Sequence, residues 1–201
     1  MRRVIFSTLA AAALVLASAG CGSKPETPQI RVIEAHAYRV DSSVESALGF
    51  FANKHVFEGT VTARGKDVRV IDWLPSGHAI EAVYTPVTVV IDRAYRGGLA
   101  AGTPVVVRSL GGEADGLRYN NDEVPAKDTF TLGTRLVIFA SDYSAVESES
   151  VPAMTPHFVY RYSGGAFVDA TYTAGGFQGQ APDRIQEADL RLKLSRLASA
   201  S

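Results

Sequence analysis

The chain carries one thiol, four imidazoles and one dense run of side-chain oxygens. Cys21 is the only cysteine. A lone thiol serves as nucleophile, metal ligand or acyl acceptor, and its surroundings decide which. His36, His55, His78 and His157 fall at none of the helix or strand spacings that bring two imidazoles onto one metal. Scattered in this way they read as surface or capping residues, and no metal site is expected. Glu113, Asp115, Asn120, Asn121, Asp122 and Glu123 gather the oxygens that hard cations prefer, but without the order of an EF-hand loop. Asn120-Asn121 reads instead as a tight turn. Gly59 to Lys66 approaches a phosphate loop. It is one residue too long, Asp67 stands where a hydroxyl would hold magnesium, and the segment reads as a hairpin. No G-x-S-x-G elbow occurs. These patterns nominate no catalytic residue and no cofactor. Trp73, Tyr84, Tyr95 and Tyr119 have two readings, a shared concave ligand face or core.

The setting of Cys21 is more informative. Arg2 and Arg3 precede a run from Val4 to Ala17 that holds no charge. The run is too short to span a bilayer, which takes about 20 helical residues. A basic start, an apolar stretch of this length and small residues after it make an export leader. The arginine pair follows Met1 directly, without the surroundings of a twin-arginine motif, so general secretion is expected. Ser18-Ala19-Gly20-Cys21 resembles the cleavage motif of bacterial lipoprotein signals. Those signals usually have leucine where Ser18 stands, while Ala19 and Gly20 match. The resemblance implies cleavage between Gly20 and Cys21 and a lipid on Cys21. Two or more acyl chains give stable anchoring where one does not. It also implies a place on the cell membrane or outer membrane, facing the extracytoplasmic space. Gly22 leaves the choice of membrane open. Ala17-Ser18-Ala19 offers a competing site for ordinary secretion, which would leave Cys21 as an exposed free thiol.

Without residues 1 to 20 the chain has 18 Lys and Arg against 21 Asp and Glu, a formal charge of −3. That balance excludes the basic footprint of a nucleic-acid binder. One cysteine excludes a disulfide within the chain, so stability must come from a core.

Residues 1–20 therefore read as signal peptide and 21–29 as a lipidated, proline-containing tether. Residues 30–201 read as one β-rich domain. Ile30 to Val40 is an edge strand or an ordered arm. Ser42-Ser43-Val44-Glu45 has the form of a capping box with Ser42 as N-cap, predicting a helix from Ser43 to about Asn53. Phe57, Gly59, Val61 and Ala63 alternate with polar residues, and strands are also predicted over Val68–Trp73, Ile80–Tyr95, Val105–Val107 and Leu136–Ala140. Pro86 inside the long run marks an edge or bulge. Gly164-Gly165 joins a last hairpin, Phe158–Tyr162 with Phe167–Tyr172. The tail after Pro182 is helical, with Ile185, Ala188 and Leu192 as one stripe, widened by Leu190, Leu194 and Leu197.

Tyr84-Thr85-Pro86-Val87-Thr88-Val89 with Ala94-Tyr95-Arg96-Gly97, and Leu132-Gly133-Thr134-Arg135-Leu136-Val137-Ile138-Phe139, resemble the strands of netrin-like domains. The resemblance covers about Val56 to Ala140. It implies an OB-like antiparallel β-barrel, here with an N-terminal capping helix and a C-terminal helix. In the metalloproteinase inhibitors of that group a free N-terminal cysteine grips the target's zinc. Cys21 lies on a tether and is expected to be acylated, so this mechanism does not carry over. The expected function is a noncatalytic binding or accessory lipoprotein of the envelope, touching the membrane through its lipid and a protein or small ligand through the domain. The alternatives are an envelope hydrolase whose residues converge only in space, and a protease inhibitor by fold analogy.

Overall fold

A segment rich in β-branched residues, Val83 to Ile91, lies in the longest strand among the described residues. The computed structural model describes residues 29–35, 41–50, 52–73, 79–121, 125, 127–143, 153–172 and 183–198. Gly20, Cys21, His36, His78, Asp122 and Glu123 lie outside them. In chain order the elements are β1 (Arg31–Ala35), α1 (Val44–Gly49), β2 (His55–Arg64), β3 (Val68–Trp73), β4 (Ala79–Arg96), β5 (Pro104–Leu110), β6 (Gly112–Ala114) and β7 (Leu117–Asn121). A 3-10 turn (Lys127–Phe130) follows, then β8 (Arg135–Tyr143), β9 (Met154–Ser163), β10 (Ala166–Asp169), β11 (Arg184–Gln186) and α2 (Glu187–Ala198).

Five strands close into a barrel in the order β9-β5-β4-β2-β8, with β8 returning to β9. Among the described residues every pairing in the barrel is antiparallel except β5 with β9, which is parallel and shows one register pair, Val107 with Met154. This is the mainly β, OB-like barrel that the sequence predicts, with one helix before it and one after.

The predicted hairpin at Arg64-Gly65-Lys66 is corrected. β2 and β3 do not pair with each other; both run antiparallel to β4, end to end along it. The glycine interrupts one long strand, and its N–H bonds to the Pro86 carbonyl at 2.8 Å. Pro86 lies where β4 changes partner, from β3 up to Tyr84 to β2 from Val87. A residue without an N–H fits such a gap. Two tight hairpin turns, between β9 and β10 and between β6 and β7, use paired positive φ angles: Gly164-Gly165 (56° and 83°) and Asp115-Gly116 (48° and 71°). Asn120 and Asn121 are therefore strand residues of β7, not the predicted turn.

Phe57, Val61, Val89, Ile91, Val107, Leu136 and Ile138 fill the barrel, joined by Phe130 from the 3-10 turn. A second core lies on the outside of the wall. Val56, Val137, Phe139, Phe158, Tyr160 and Phe167 meet Val44 and Ala47 of α1 and Leu190 and Leu194 of α2. β2, β8 and β9 are thus buried on both faces, which accounts for adjacent apolar pairs such as Val56-Phe57 and Val137-Ile138.

Both helices differ in detail from the sequence reading. α1 spans Val44–Gly49, and its N-cap is Ser43, whose Oγ accepts the Ser46 N–H at 3.3 Å. Asp41 holds Ser43 in that role by accepting its N–H and hydroxyl. Ser42 turns inward instead, and Glu45 pairs with Lys193. In α2 the inward pair is Leu190 and Leu194, one turn apart, while Leu192 is exposed. Ile185 precedes the helix, in β11. A separate small sheet, β1-β7-β6, has β1 parallel to β7, so the ambiguous arm is an edge strand.

Gly59 sits inside the wall at a register shift between Glu58 and Gly59. A Cβ there would stand 2.6 Å from the Val90 carbonyl oxygen and 2.7 Å from a Val89 methyl. Backbone cannot yield as a side chain can. Gly59→Ala is expected to cost about 1–3 kcal/mol, read as a lower urea midpoint with an unchanged slope.

Candidate functional site

Glu58 follows Phe57 in a strand whose alternate residues point into the barrel, so its carboxylate points outward. Outward from this wall is not solvent. α2 covers it, and Glu58 is 1 % exposed. An ionised carboxylate so placed must be met by cations and donors. Arg191 of α2 donates twice, from Nη2 to Oε1 at 2.8 Å and from Nε to Oε2 at 3.2 Å. Arg135 of β8 brings its Nε to 3.1 Å from Oε1, an electrostatic contact without hydrogen-bond alignment. The Tyr95 hydroxyl donates to Oε2 at 3.3 Å. Glu187 then bridges the two arginines, at 2.6 Å from Arg135 and 2.9 Å from Arg191. The Arg135 guanidinium lies 3.6 Å from the centre of the Tyr162 ring.

Two carboxylates thus balance two guanidiniums. The hydrogen bonds that Arg191 donates to Glu58 raise the Arg191 pKa above its ordinary value. Burial, with Glu58 beside it, raises that of Tyr95. Both oxygens of Glu58 are occupied by these contacts. Gly165, Gln186, Glu187, Ala188 and Arg191 line an open cleft of about 430 Å³ beside the network. A second, of about 350 Å³, runs between the helices past Glu45, Leu48, Lys193 and Arg196. The sequence reading missed Glu58, because a polar residue between Phe57 and Gly59 looks solvated. The signals available were the doubled apolar pair Val56-Phe57 and the spacing of Glu187 and Arg191, four apart on a helix.

The structure keeps the two described histidines apart. His55 faces Asp142, with Nε2 to Oδ1 at 2.7 Å. Its Nδ1 is buried without a partner against Gly97, where a Cβ would come within 2.2 Å. A histidine–carboxylate pair is part of a nucleophile relay, but backbone rather than a hydroxyl lies against the other nitrogen. His157 packs edge-on to Phe50 at 5.2 Å between ring centres, and its Nε2 is buried without a partner. Among the described residues no three His, Cys, Asp or Glu side chains are grouped to hold a metal.

In the acidic run, Glu113 pairs with Arg118 at 2.7 Å and Asn120 donates to Glu34 at 2.8 Å. Asp67 is a staple across three segments. It accepts from the Thr85 hydroxyl at 2.6 Å, the Glu113 N–H at 2.9 Å and Lys127 at 3.3 Å. Burial alone would raise its pKa, but these donors outweigh burial and lower it. Tyr84 and Tyr95 are buried in different clusters, so they share no ligand face. Ser42 donates to Asp169, and its carbonyl accepts the Tyr160 hydroxyl at 2.6 Å. Burial, with Asp169 next, pushes the Tyr160 pKa far up.

No protein-family model matches the chain, and neither a curated protein nor a solved structure matches it significantly.

Removing one partner of a buried ion pair leaves the other charge uncompensated. Glu58→Ala is expected to destabilise the domain by about 3–5 kcal/mol. Combined with Arg191→Ala it should cost clearly less than the two single losses added, when all three variants are unfolded in urea. Additive losses would contradict the coupling.

Burial holds the His157 pKa below its ordinary value. The folded chain then keeps the ring neutral while the unfolded chain takes up a proton below about pH 6.5. This contribution is complete above the unfolded value and is lost as pH falls through the depressed folded one. His157→Phe is expected to flatten the acid-side decline in urea midpoint between about pH 8 and pH 5.

Proposed function

We propose that this protein is a lipid-anchored, extracytoplasmic binding or accessory module of the bacterial cell envelope, acylated at Cys21. The carrying observation is the placement of the single thiol. It ends an export leader that has a basic start, an uncharged run and small residues, and β1 begins only ten positions later. A free thiol there would be a liability in an oxidising compartment, and an acyl group gives it a role. The domain supports the noncatalytic part of the reading through what its ionisable groups already do. Glu58 is saturated by donors, Asp67 is bound to three segments, and His55 is closed off by Gly97.

One observation favours the hydrolase alternative, the His55–Asp142 pair. An enzyme using it would need Gly97 to move aside. Loss of a hydrolytic activity in His55→Ala, with folding intact, would select that alternative.

The anchor is tested by fractionating cells that express the wild type and Cys21→Ala. The wild type should sediment with membranes and incorporate labelled palmitate. The variant should appear in the soluble fraction or as uncleaved precursor. A processed variant still held on membranes would refute the lipoprotein reading.

A further inference from the structure

Ile30, Val32, Leu132 and Leu192 are the large apolar side chains left exposed among the described residues. Leu132 precedes β8 and Leu192 lies on the outer side of α2. Ile30 and Val32 belong together: Ile30 leads into β1, and two residues along an extended chain bring the side chain back to the same face. That face is the outer side of the small sheet. Ile33, Ala35, Leu117 and Tyr119 occupy the more buried side, and Val32, Glu34, Arg118 and Asn120 the exposed one. Val32 is opposite Arg118, and Glu34 opposite Asn120. The polar groups there are already engaged, Arg118 with Glu113 and Glu34 with Asn120.

We propose that this outer face, through Ile30 and Val32, lies on the surface of the membrane that anchors the chain. The proposal rests on acylation of Cys21. The length of the tether argues for the membrane as occupant. Eight residues separate Cys21 from Ile30. Fully extended, that connection reaches at most about 30 Å, so an anchored chain keeps this strand within that distance of the bilayer. Two half-exposed side chains would hold a free protein only weakly. On an anchored chain the contact is intramolecular, and a weak contact is then enough to set orientation. Arg118 beside Val32 suits the headgroup level, with its stem along apolar surface and its charge in water.

The test uses the full lipidated protein in vesicles of phosphatidylethanolamine and phosphatidylglycerol. Acylated Cys21 has no free thiol, so a cysteine introduced by Val32→Cys, or by Leu192→Cys as control, can be labelled with an environment-sensitive fluorophore. Flotation with the vesicles reports the anchor. Quenching by a lipid-borne quencher reports the face. The expected result is quenching several-fold stronger at position 32 than at 192, reduced to the control level by Ile30→Glu. A chain that floats but shows equal quenching at both positions overturns this proposal and leaves the anchor standing. A chain that does not float overturns both. An apolar shift at position 32 that appears only at high protein-to-lipid ratio, without lipid quenching, means a second copy covers the face and also overturns it.

Discussion

A carboxylate withdrawn from water has to be answered, and the answer given to Glu58 organises much of this molecule. Its two oxygens are met by an arginine from the barrel wall and an arginine from the C-terminal helix. The helix is therefore fixed in rotation as well as position, because only one face of α2 puts Arg191 and Glu187 beside Glu58 and Arg135. The same rotation brings Leu190 and Leu194 onto the apolar outer wall. Polar pairing thus selects the register that apolar packing then fills. An apolar substitute could match the stability, but a greasy helix could slide along a greasy wall, whereas a forked guanidinium on a carboxylate tolerates little sliding.

The wall itself is built to be covered. Three of its strands are buried on both faces, and the short α1 with the longer α2 close the outer one. Sequence segments distant from one another converge there. Ser42, just before α1, is tied to Asp169 at the end of β10 and to Tyr160 in the wall. The Lys193–Glu45 pair joins the two helices. Glu58, Glu187, Arg135 and Arg191 turn toward one another, and Asp67 toward Lys127, which suits a scaffold that presents a surface. On the proposed reading, the reactive chemistry of the chain is concentrated in the thiol at Cys21.

Much of this was legible in the sequence where the signal is local. The bounds of β3 coincide with the β run Val68–Trp73, and the Gly164-Gly165 turn has the two positive φ angles that its glycines permit. What stayed hidden depends on residues far apart in the chain. Arg64-Gly65-Lys66 reads as a turn because glycine breaks strands; that β3 continues along β4 is decided by β4, long enough to serve two partners in succession. Ser42 and Ser43 are equivalent as caps until Asp169 and Tyr160, more than a hundred residues away, claim the first. Asn120 and Asn121 have turn chemistry, but Asp115-Gly116 takes the turn and leaves them in the strand beside β1. Glu58 is hidden for the same reason, since its burial is decided by a helix that begins at residue 187.

The barrel's joints are unequal. Among the described residues β2 and β4 share a long ladder, and β8 and β9 nearly as long a one, whereas β5 meets β9 through a single parallel pair. A cylinder of this kind has a latch rather than a uniform wall. Thermal opening begins where the fewest bonds must break, and local openings are far cheaper than unfolding the whole. The molecule should therefore breathe as a curved sheet hinged on β4 and β2, parting along the line of Val107 and Met154 and letting water reach the apolar interior there first.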